Sequence, residues 1–551
     1  MMSNVRLEVE SSRFIGWTRL VILGAAVATV GCKQAQKRPR YTPGAVAVVA
    51  GVKTEDIRAA IATKLASEKR PSWVSGSRWK RVQTTYTNYQ NAPLWLEADG
   101  VKDRASALLN AIKSAPDHAL STADYPIDSI ETVVNNPSVT KNATAEGLAD
   151  ADVLMTAAYV AYATDMLTGQ IDPKTVSQDW HVPLNMAVVD SSISAALQET
   201  SMDSALAAMA PADSEYALLQ GAFVRYRKLA SVGGWPRVTT SSPASAVLRQ
   251  RLAMEGLLAD TASVHPAAFI QGASPIAAAV KAFQTHHGLQ ATGKLDKATI
   301  AELNVPADER VKQLGVNLER RRWLPRSLGS RYIYVNVPAF RLDAYDGGQR
   351  ALTMKVVVGA EYQGKSTPVF SDTMETVVFR PYWNITPTIQ AKEIAPKAAE
   401  NPGYLAANDM EYYKDGGETR IRQRPGNKNS LGLVKFLFPN NFNIYLHDTP
   451  AKSLFAKANR AASHGCIRLE HPDQLAEFVL GWDASRVHGA MNSGANNNGV
   501  RVPGKLPVYI VYFTAYARDG ELYFGDDIYS RDDQLEEKVV TDSAQKATWG
   551  N

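Results

Sequence analysis

The chain has 551 residues, of which 60 are basic and 55 acidic, for a formal net charge of +5. This length predicts more than one domain, and a hydrophobic fraction of 45% with a charged fraction of 21% is typical of globular proteins. So small a charge excess argues against nucleic-acid binding. The only two cysteines, Cys32 and Cys466, are too few for a cysteine-rich zinc site.

Residues 1–32 have the pattern of an export signal. Arg13 and Arg19 precede a short apolar run, and Gly31-Cys32 follows it. A small residue before a cysteine resembles a bacterial lipobox, which implies lipidation of Cys32. An uncleaved anchor helix and ordinary signal cleavage are the alternatives. All three place the chain outside the cytoplasm, and we expect a periplasmic lipoprotein anchored to the membrane.

The pattern of residues 33–79 predicts a tether followed by an N-terminal helix. Lys33 to Arg40 is basic and polar, and apolar residues recur at helical spacing between Asp56 and Lys69. The apolar residues from Val46 to Val52 fit a short strand or a linker equally well.

Residues 80–242 predict a helical domain. A strong apolar pattern between Ala149 and Gly169 ends at a segment with glycine and proline in stopping positions. His118 and His181 have no spacing that pairs them for a metal, so we interpret them as surface or core histidines. Periodicity alone assigns this domain no function.

Residues 243–305 predict a small module of three helices. Phe283 and Leu289 are core candidates, and Gly293 marks a turn. His286 and His287 are adjacent and therefore point to different faces of a helix, which argues against a metal pair.

Residues 317–530 predict a mostly β domain, beginning with the alternating segment Tyr332 to Val337 and ending with Val508 to Phe513. Residues 388–424 form a mixed helical and polar insertion, and residues 531–551 are polar and expected to be disordered. The predicted fold class is therefore multidomain α+β.

The segment Ser463-His464-Gly465-Cys466 carries the clearest chemical signal. A cysteine nucleophile reacts as the thiolate and needs a nearby base, and a neighbouring glycine allows a sharp turn that uncovers backbone amides. His464 adjoins the cysteine and His447 lies upstream. The alternative is an inert buried thiol.

With Ile467, Arg468 and His447, this segment resembles the signature of the L,D-transpeptidases of bacterial cell-wall synthesis. The resemblance implies that Cys466 is the acylated nucleophile and His447 the base, while His464 could orient the cysteine, shape the oxyanion loop or be the base itself. The amides of Gly465 and Cys466 are the oxyanion candidates. Ser463 either bonds within the loop or simply forms the turn. Arg468 either clamps a substrate carboxylate or braces the loop through an ion pair.

The resemblance extends along the chain. Residues 80–242 resemble the scaffold domain of large L,D-transpeptidases, and the insertion at 388–424 resembles their cap, although a plain surface excursion is the alternative. Tyr382, Trp383 and Asn384 are groove candidates, with core packing as the alternative. The module at 243–305 resembles a peptidoglycan-binding domain at Phe283, Gln284, Gly288, Leu289, Gly293 and Thr299.

The activity that this resemblance implies is the formation of 3→3 peptidoglycan cross-links on stem tetrapeptides with release of D-alanine. A thiol hydrolase of stem peptides and attachment of a protein to peptidoglycan are the alternatives. The expected partners are stem peptides, glycan, the membrane and carbapenem inhibitors, with no nucleic acid. No motif indicates a cofactor or a metal.

Overall fold

The computed structural model describes residues 41–547, except residues 68, 102, 136–141, 185, 240, 244, 259–274 and 361–365. The export segment, Cys32 and the first part of the tether therefore lie outside the described residues. Residues from Tyr41 onward form one compact unit. In the described part, no helix combines the length and the apolar character needed to cross a membrane.

The helical region packs around one long, almost entirely buried helix, α5. Its helices are α1 (Thr54–Ala66), α2 (Gly76–Asn88), α3 (Asp103–Lys113), α4 (Ile127–Asn135), α5 (Ala145–Thr168), α6 (Pro173–Val176), α7 (Met186–Leu197), α8 (Met202–Ala207) and α9 (Ser214–Ser231). Helix α5 ends at Gly169, whose φ is +87° and where a Cβ would collide with Glu319 and Trp323. The predicted glycine stop is therefore required by close packing as well as by the turn.

Two short antiparallel pairs accompany these helices. They are β1 (Val48–Val49) with β2 (Val52–Lys53), and β3 (Leu96–Glu97) with β4 (Gly100–Val101). The apolar segment before α1 is therefore a small hairpin rather than a linker.

The small module contains α10 (Ala246–Met254), α11 (Pro275–His286) and α12 (Lys297–Leu303). Gln284 is buried, donates to the Lys294 carbonyl at 2.8 Å and accepts from the Gly293 amide at 2.7 Å. Phe283 is also fully buried. These positions of the peptidoglycan-binding resemblance therefore build the module's interior. Helix α13 (Ala307–Trp323) follows the module and precedes the sheet.

A nine-stranded sheet dominates the remaining chain. Its strands are β5 (Tyr332–Asn336), β6 (Arg341–Asp346), β7 (Gln349–Gly359), β8 (Phe370–Phe379), β12 (Val434–Leu437), β13 (Leu446–His447), β14 (Ala461–Ser463), β15 (Ile467–Leu469) and β16 (Asn498–Val511). The order is β14-β7-β15-β13-β12-β8-β16-β5-β6, and β6 also pairs with β7. This last pairing closes eight strands into a ring around the largest apolar core. The observed class is α+β, as predicted.

The insertion after β8 has its own sheet and its own small core. Strands β9 (Trp383–Asn384), β10 (Met410–Asp415) and β11 (Glu418–Gln423) form the sheet. The helical part comprises α14 (Pro387–Ile389), a π-helical turn (Gln390–Ile394), α15 (Ala395–Glu400) and α16 (Tyr404–Ala407). Its core contains Ile385, Ile394, Met410 and Ile421.

Two helices, α17 (Pro472–Leu480) and α18 (Ala484–Asn492), precede β16, and the hairpin of β17 (Ala515–Arg518) with β18 (Glu521–Phe524) follows it.

The prediction of a disordered tail from residue 531 was wrong. The last described element is α19 (Arg531–Ala547). Leu535 is fully buried in the main core, Arg531 pairs with Asp179 at 2.6 Å, and Asp532 pairs with Arg320. The segment looked polar because its buried charges are paired with partners distant in sequence.

Candidate active site

Cys466 lies in a tight loop that joins β14 to β15. Gly465, immediately before it, has a φ of +109°, a conformation that residues with side chains rarely adopt. Ser463 and Gly465 are buried, whereas the Cys466 side chain is partly exposed. The glycine therefore lets the chain turn and leaves the thiol only partly covered.

Ser463 holds this loop together from inside. Its hydroxyl donates to the Cys466 carbonyl at 2.6 Å and accepts from the Gly465 amide at 3.2 Å. The Gly465 amide is thus already used within the loop, which weakens its candidacy as an oxyanion donor. The Cys466 amide makes no hydrogen bond within the described part of the chain and is the stronger candidate.

His447 lies at the end of β13 and is only 4% exposed. Its Nδ1 is 2.5 Å from the Asp448 carbonyl oxygen. Because a carbonyl only accepts, Nδ1 must carry the proton, and Nε2 is left as an acceptor. Burial, together with the nearby charges of Arg468 and Lys435, lowers the pKa of His447 to about 3, so the ring is a neutral base.

Tyr445 contacts the thiol of Cys466 twice, through its backbone amide and through its phenol. The thiol also donates to the Asn443 carbonyl at 3.5 Å. Burial raises the pKa of Cys466 to about 11, despite these bonds and the neighbouring cations. The Cys466 thiol and the His447 imidazole are therefore both neutral at rest. Sequence reasoning missed Tyr445, although its position two residues before His447 puts it on the same face of the strand.

Pairing of the strands brings Arg468 and Lys435 to either side of His447. His447 is opposite Arg468 in the parallel pair β13–β15 and opposite Lys435 in the antiparallel pair β12–β13. Directly opposed residues project from the same face. Lys435, whose Nζ lies 5.8 Å from the Tyr445 ring centroid, was not predicted from the sequence.

His464 points away from the chemistry that was considered for it. Its Nε2 is 2.5 Å from Oε1 of Glu393, which lies in the π-helical turn of the insertion. The side chain is about one-third exposed. His464 therefore connects the cysteine loop to the insertion, and this contact does not favour it as the base.

The three predicted groove residues lie at the base of the insertion. Trp383 and Asn384 form β9 and pair with Gln423 and Arg422 of β11. The Arg422 guanidinium stacks over the Tyr382 ring at 4.1 Å from its centroid. None of the three has a hydrogen bond to Cys466, whose thiol contacts Tyr445 and Asn443 instead.

The other histidines that were considered have structural neighbours. His287 is buried between Glu302, at 2.8 Å, and Glu255, at 3.0 Å. His118 bonds the Tyr216 hydroxyl at 3.1 Å, and His181 packs on Phe442. Among the described residues, no group of three or more His, Cys, Asp or Glu side chains is arranged to hold a metal ion.

Comparison with known protein families agrees with this geometry. The model of the L,D-transpeptidase catalytic domain matches residues 330–510, which include Cys466, His447, Tyr445 and the insertion. Residues 330–510 form an L,D-transpeptidase catalytic domain. A scaffold domain model matches residues 80–223, and a model described as "Putative peptidoglycan binding domain" matches residues 271–303. The chain thus has the domain organisation of a large L,D-transpeptidase.

Individual relatives each match part of the chain. A Haemophilus influenzae protein described as "Putative L,D-transpeptidase" is 31% identical over 244 residues, which are 41% of this chain and 49% of that protein. The chain therefore spans about half the length of this curated relative. A crystal structure of an L,D-transpeptidase from Xylanimonas cellulosilytica, residues 123–326, matches 50% of this chain and 97% of that one at 15% identity, with a TM-score of 0.16. At that TM-score the likeness supports no structural conclusion.

Proposed function

We propose that this protein forms 3→3 peptidoglycan cross-links through a thioester on Cys466. The supporting observation is the arrangement of the thiol: it sits on a glycine turn and contacts Tyr445, two residues before a neutral histidine, His447, whose Nε2 is left as an acceptor. The proposed substrate is a stem tetrapeptide with an L-centre/D-alanine bond, and the match to an L,D-transpeptidase catalytic domain supports this choice.

In the first half-reaction, Sγ of Cys466 attacks the carbonyl carbon of that bond and its proton passes to His447 Nε2. The Cys466 amide and the Tyr445 phenol are the donors placed to stabilise the oxyanion. The C–N bond then breaks, the departing D-alanine nitrogen takes the proton from His447, and a thioester remains.

In the second half-reaction, an amine of a neighbouring stem attacks the thioester. His447 accepts a proton from that amine, the C–S bond breaks, and the thiol is re-formed with that proton. Water in place of the amine would give hydrolysis, so a thiol carboxypeptidase is the alternative from the same site. With a protein amine as acceptor, the product would be a protein attached to peptidoglycan.

We also propose that the insertion at residues 388–424 is a cap over the site. His464 connects the cysteine loop to Glu393 of the insertion, so the insertion borders the site where the thioester forms. A cover at this position would keep water from the thioester and favour transfer over hydrolysis. The proposal also includes a location outside the cytoplasm, which the scaffold and peptidoglycan-binding matches support. It further includes lipidation of Cys32.

Intact-protein mass spectrometry tests the proposal. The full chain in mild detergent is incubated with a disaccharide tetrapeptide or a carbapenem, beside Cys466→Ala and His447→Gln. We expect an adduct on the wild type only, strongly slowed formation in His447→Gln, and dimeric muropeptide in the supernatant. An adduct with free tripeptide as the only product would indicate the hydrolase, and turnover by Cys466→Ala would reject the mechanism.

A further inference from the structure

The catalytic histidine lies between two cations. Lys435, His447 and Arg468 occupy three adjacent strands in one row across the sheet, and β8 and β7 continue this row with Val378 and Val357. The outer neighbours are apolar, so the sheet itself offers neither cation a negative partner. The positive charge is concentrated on the strand face that carries the thiol.

Neither cation has a carboxylate partner among the described residues. Both side chains are partly buried, and the Nε of Arg468 is buried without a hydrogen bond, as is the Nε of Arg104, Arg310 and Arg322. Other buried arginines are compensated: Arg251 by Glu255, Arg310 by Glu302, Arg320 by Asp532, Arg322 by Glu319, Arg531 by Asp179, and Arg104 by two backbone carbonyls.

Burying unpaired charge is unfavourable, and two like charges near one another add repulsion. Lys435 and Arg468 lack a carboxylate partner among the described residues and lie close enough to Cys466 to interact with its charge, so they are placed to bind an anion there. A guanidinium and an ammonium are the groups that bind carboxylates in proteins.

We propose that Lys435 and Arg468 bind the α-carboxylate of the D-residue that leaves when Cys466 is acylated. This inference rests on the proposed function. In a tetrapeptide, that carboxylate is separated from the scissile carbonyl carbon only by the nitrogen and the α-carbon of the leaving residue. When the carbonyl is at Cys466 beside His447, the carboxylate is therefore within reach of the cations that flank His447.

The subsite determines which peptides react. A stem whose scissile D-residue is terminal presents a carboxylate to the two cations. A stem with a further residue presents a neutral amide there and leaves both charges unpaired. The site therefore selects the end of a chain, and Lys435 and Arg468 are its specificity-determining residues.

The test compares two disaccharide tetrapeptides that differ only in a terminal D-alanine carboxylate or carboxamide. Both are prepared with lysine and with meso-diaminopimelate at the third position. Single-turnover acylation is followed by intact mass on the full chain for the wild type, Lys435→Gln and Arg468→Gln. Lys505→Gln, an exposed lysine of β16, is the matched control. Binding to Cys466→Ala, alone and combined with Lys435→Gln, is measured by calorimetry.

We expect the wild type and Lys505→Gln to prefer the carboxylate by about tenfold or more, as for a charge-assisted hydrogen bond. Lys435→Gln and Arg468→Gln should each reduce this preference, which is the ratio of the two acylation rates, to about twofold or less. Cys466→Ala should bind the carboxylate peptide preferentially, and Lys435→Gln should remove that preference. Equal acylation of both peptides by the wild type, or equal slowing on both by Lys435→Gln, would overturn the subsite and leave the proposed function standing.

The proposed function can also fail while the carboxylate subsite is confirmed. If no peptide acylates the wild type but Cys466→Ala still binds the carboxylate form in a Lys435-dependent way, the subsite stands and the transpeptidase proposal fails. Absence of both acylation and selective binding would reject both.

Discussion

The Nδ1 of His447 donates to the backbone carbonyl of Asp448, so the proposed catalytic base is oriented by the main chain and not by a carboxylate. The Asp448 carboxylate instead accepts from the Leu433 amide at 2.9 Å and binds Lys452 at 2.8 Å. Within the described part of the chain, no carboxylate is therefore placed to stabilise an imidazolium at His447, which agrees with its low pKa.

The thiol of Cys466 should react with a small alkylating reagent increasingly as the pH rises. Burial raises its pKa to about 11, so the thiolate fraction continues to increase throughout the neutral range. We expect the rate of iodoacetamide alkylation, measured by intact mass, to show no plateau below pH 9. A plateau near neutral pH would indicate a resting thiolate–imidazolium pair and contradict this picture.

Thr367 is expected to position the cysteine loop. It is fully buried, its hydroxyl donates to the Gly465 carbonyl at 2.8 Å, and it accepts from the Gly359 amide at 2.9 Å. Thr367→Val keeps the shape and removes both bonds, so acylation should slow by about tenfold or more. Thr367→Ser restores the hydroxyl and should recover most of the rate.

A purely structural role of Thr367 would give a different result. Loss of stability without loss of acylation rate on folded Thr367→Val would show that the bond to Gly465 does not position the nucleophile. Urea unfolding of each variant, measured beside single-turnover acylation, separates the two effects.

Breaking the contact between His464 and Glu393 should shorten the life of the acyl-enzyme. Glu393→Gln weakens the connection between the insertion and the cysteine loop, so water should reach the thioester more readily. We expect carbapenem acylation to change little and deacylation to accelerate several-fold, both measured by time-resolved intact mass. Lys414→Gln, on the outer hairpin of the insertion, is the matched control. Equal lifetimes in Glu393→Gln and the wild type would contradict a covering role.

The C-terminal helix should contribute measurably to the stability of the catalytic unit. Leu535 is fully buried in the main core, whereas Val540 of the same helix is 61% exposed. Leu535→Ala should lower the free energy of unfolding by about 2–5 kcal/mol, and Val540→Ala by roughly 0.5 kcal/mol or less. Comparable effects in both variants, measured by urea unfolding, would show that the helix does not pack as described.

Local patterns in the sequence predicted the secondary structure well where one face of an element is buried. The alternation from Tyr332 to Val337 predicted a strand that the structure has, and the stop at Gly169 is where α5 ends. Periodicity failed from residue 531, because Arg531 and Asp532 are buried by pairing with residues far away in the chain. A local pattern contains no information about such partners.

The sequence by itself determined which residues are the candidates for the chemistry of the site. Ser463-His464-Gly465-Cys466 requires a turn that only glycine adopts easily, and it predicts the nucleophile, as His447 predicts the base. Only the tertiary structure decided which groups surround them. Strand register places Lys435 and Arg468 beside His447, and the fold connects His464 to Glu393. Register and burial arise from contacts between distant segments, so the pKa values and the charge around the thiol become visible only in the folded chain.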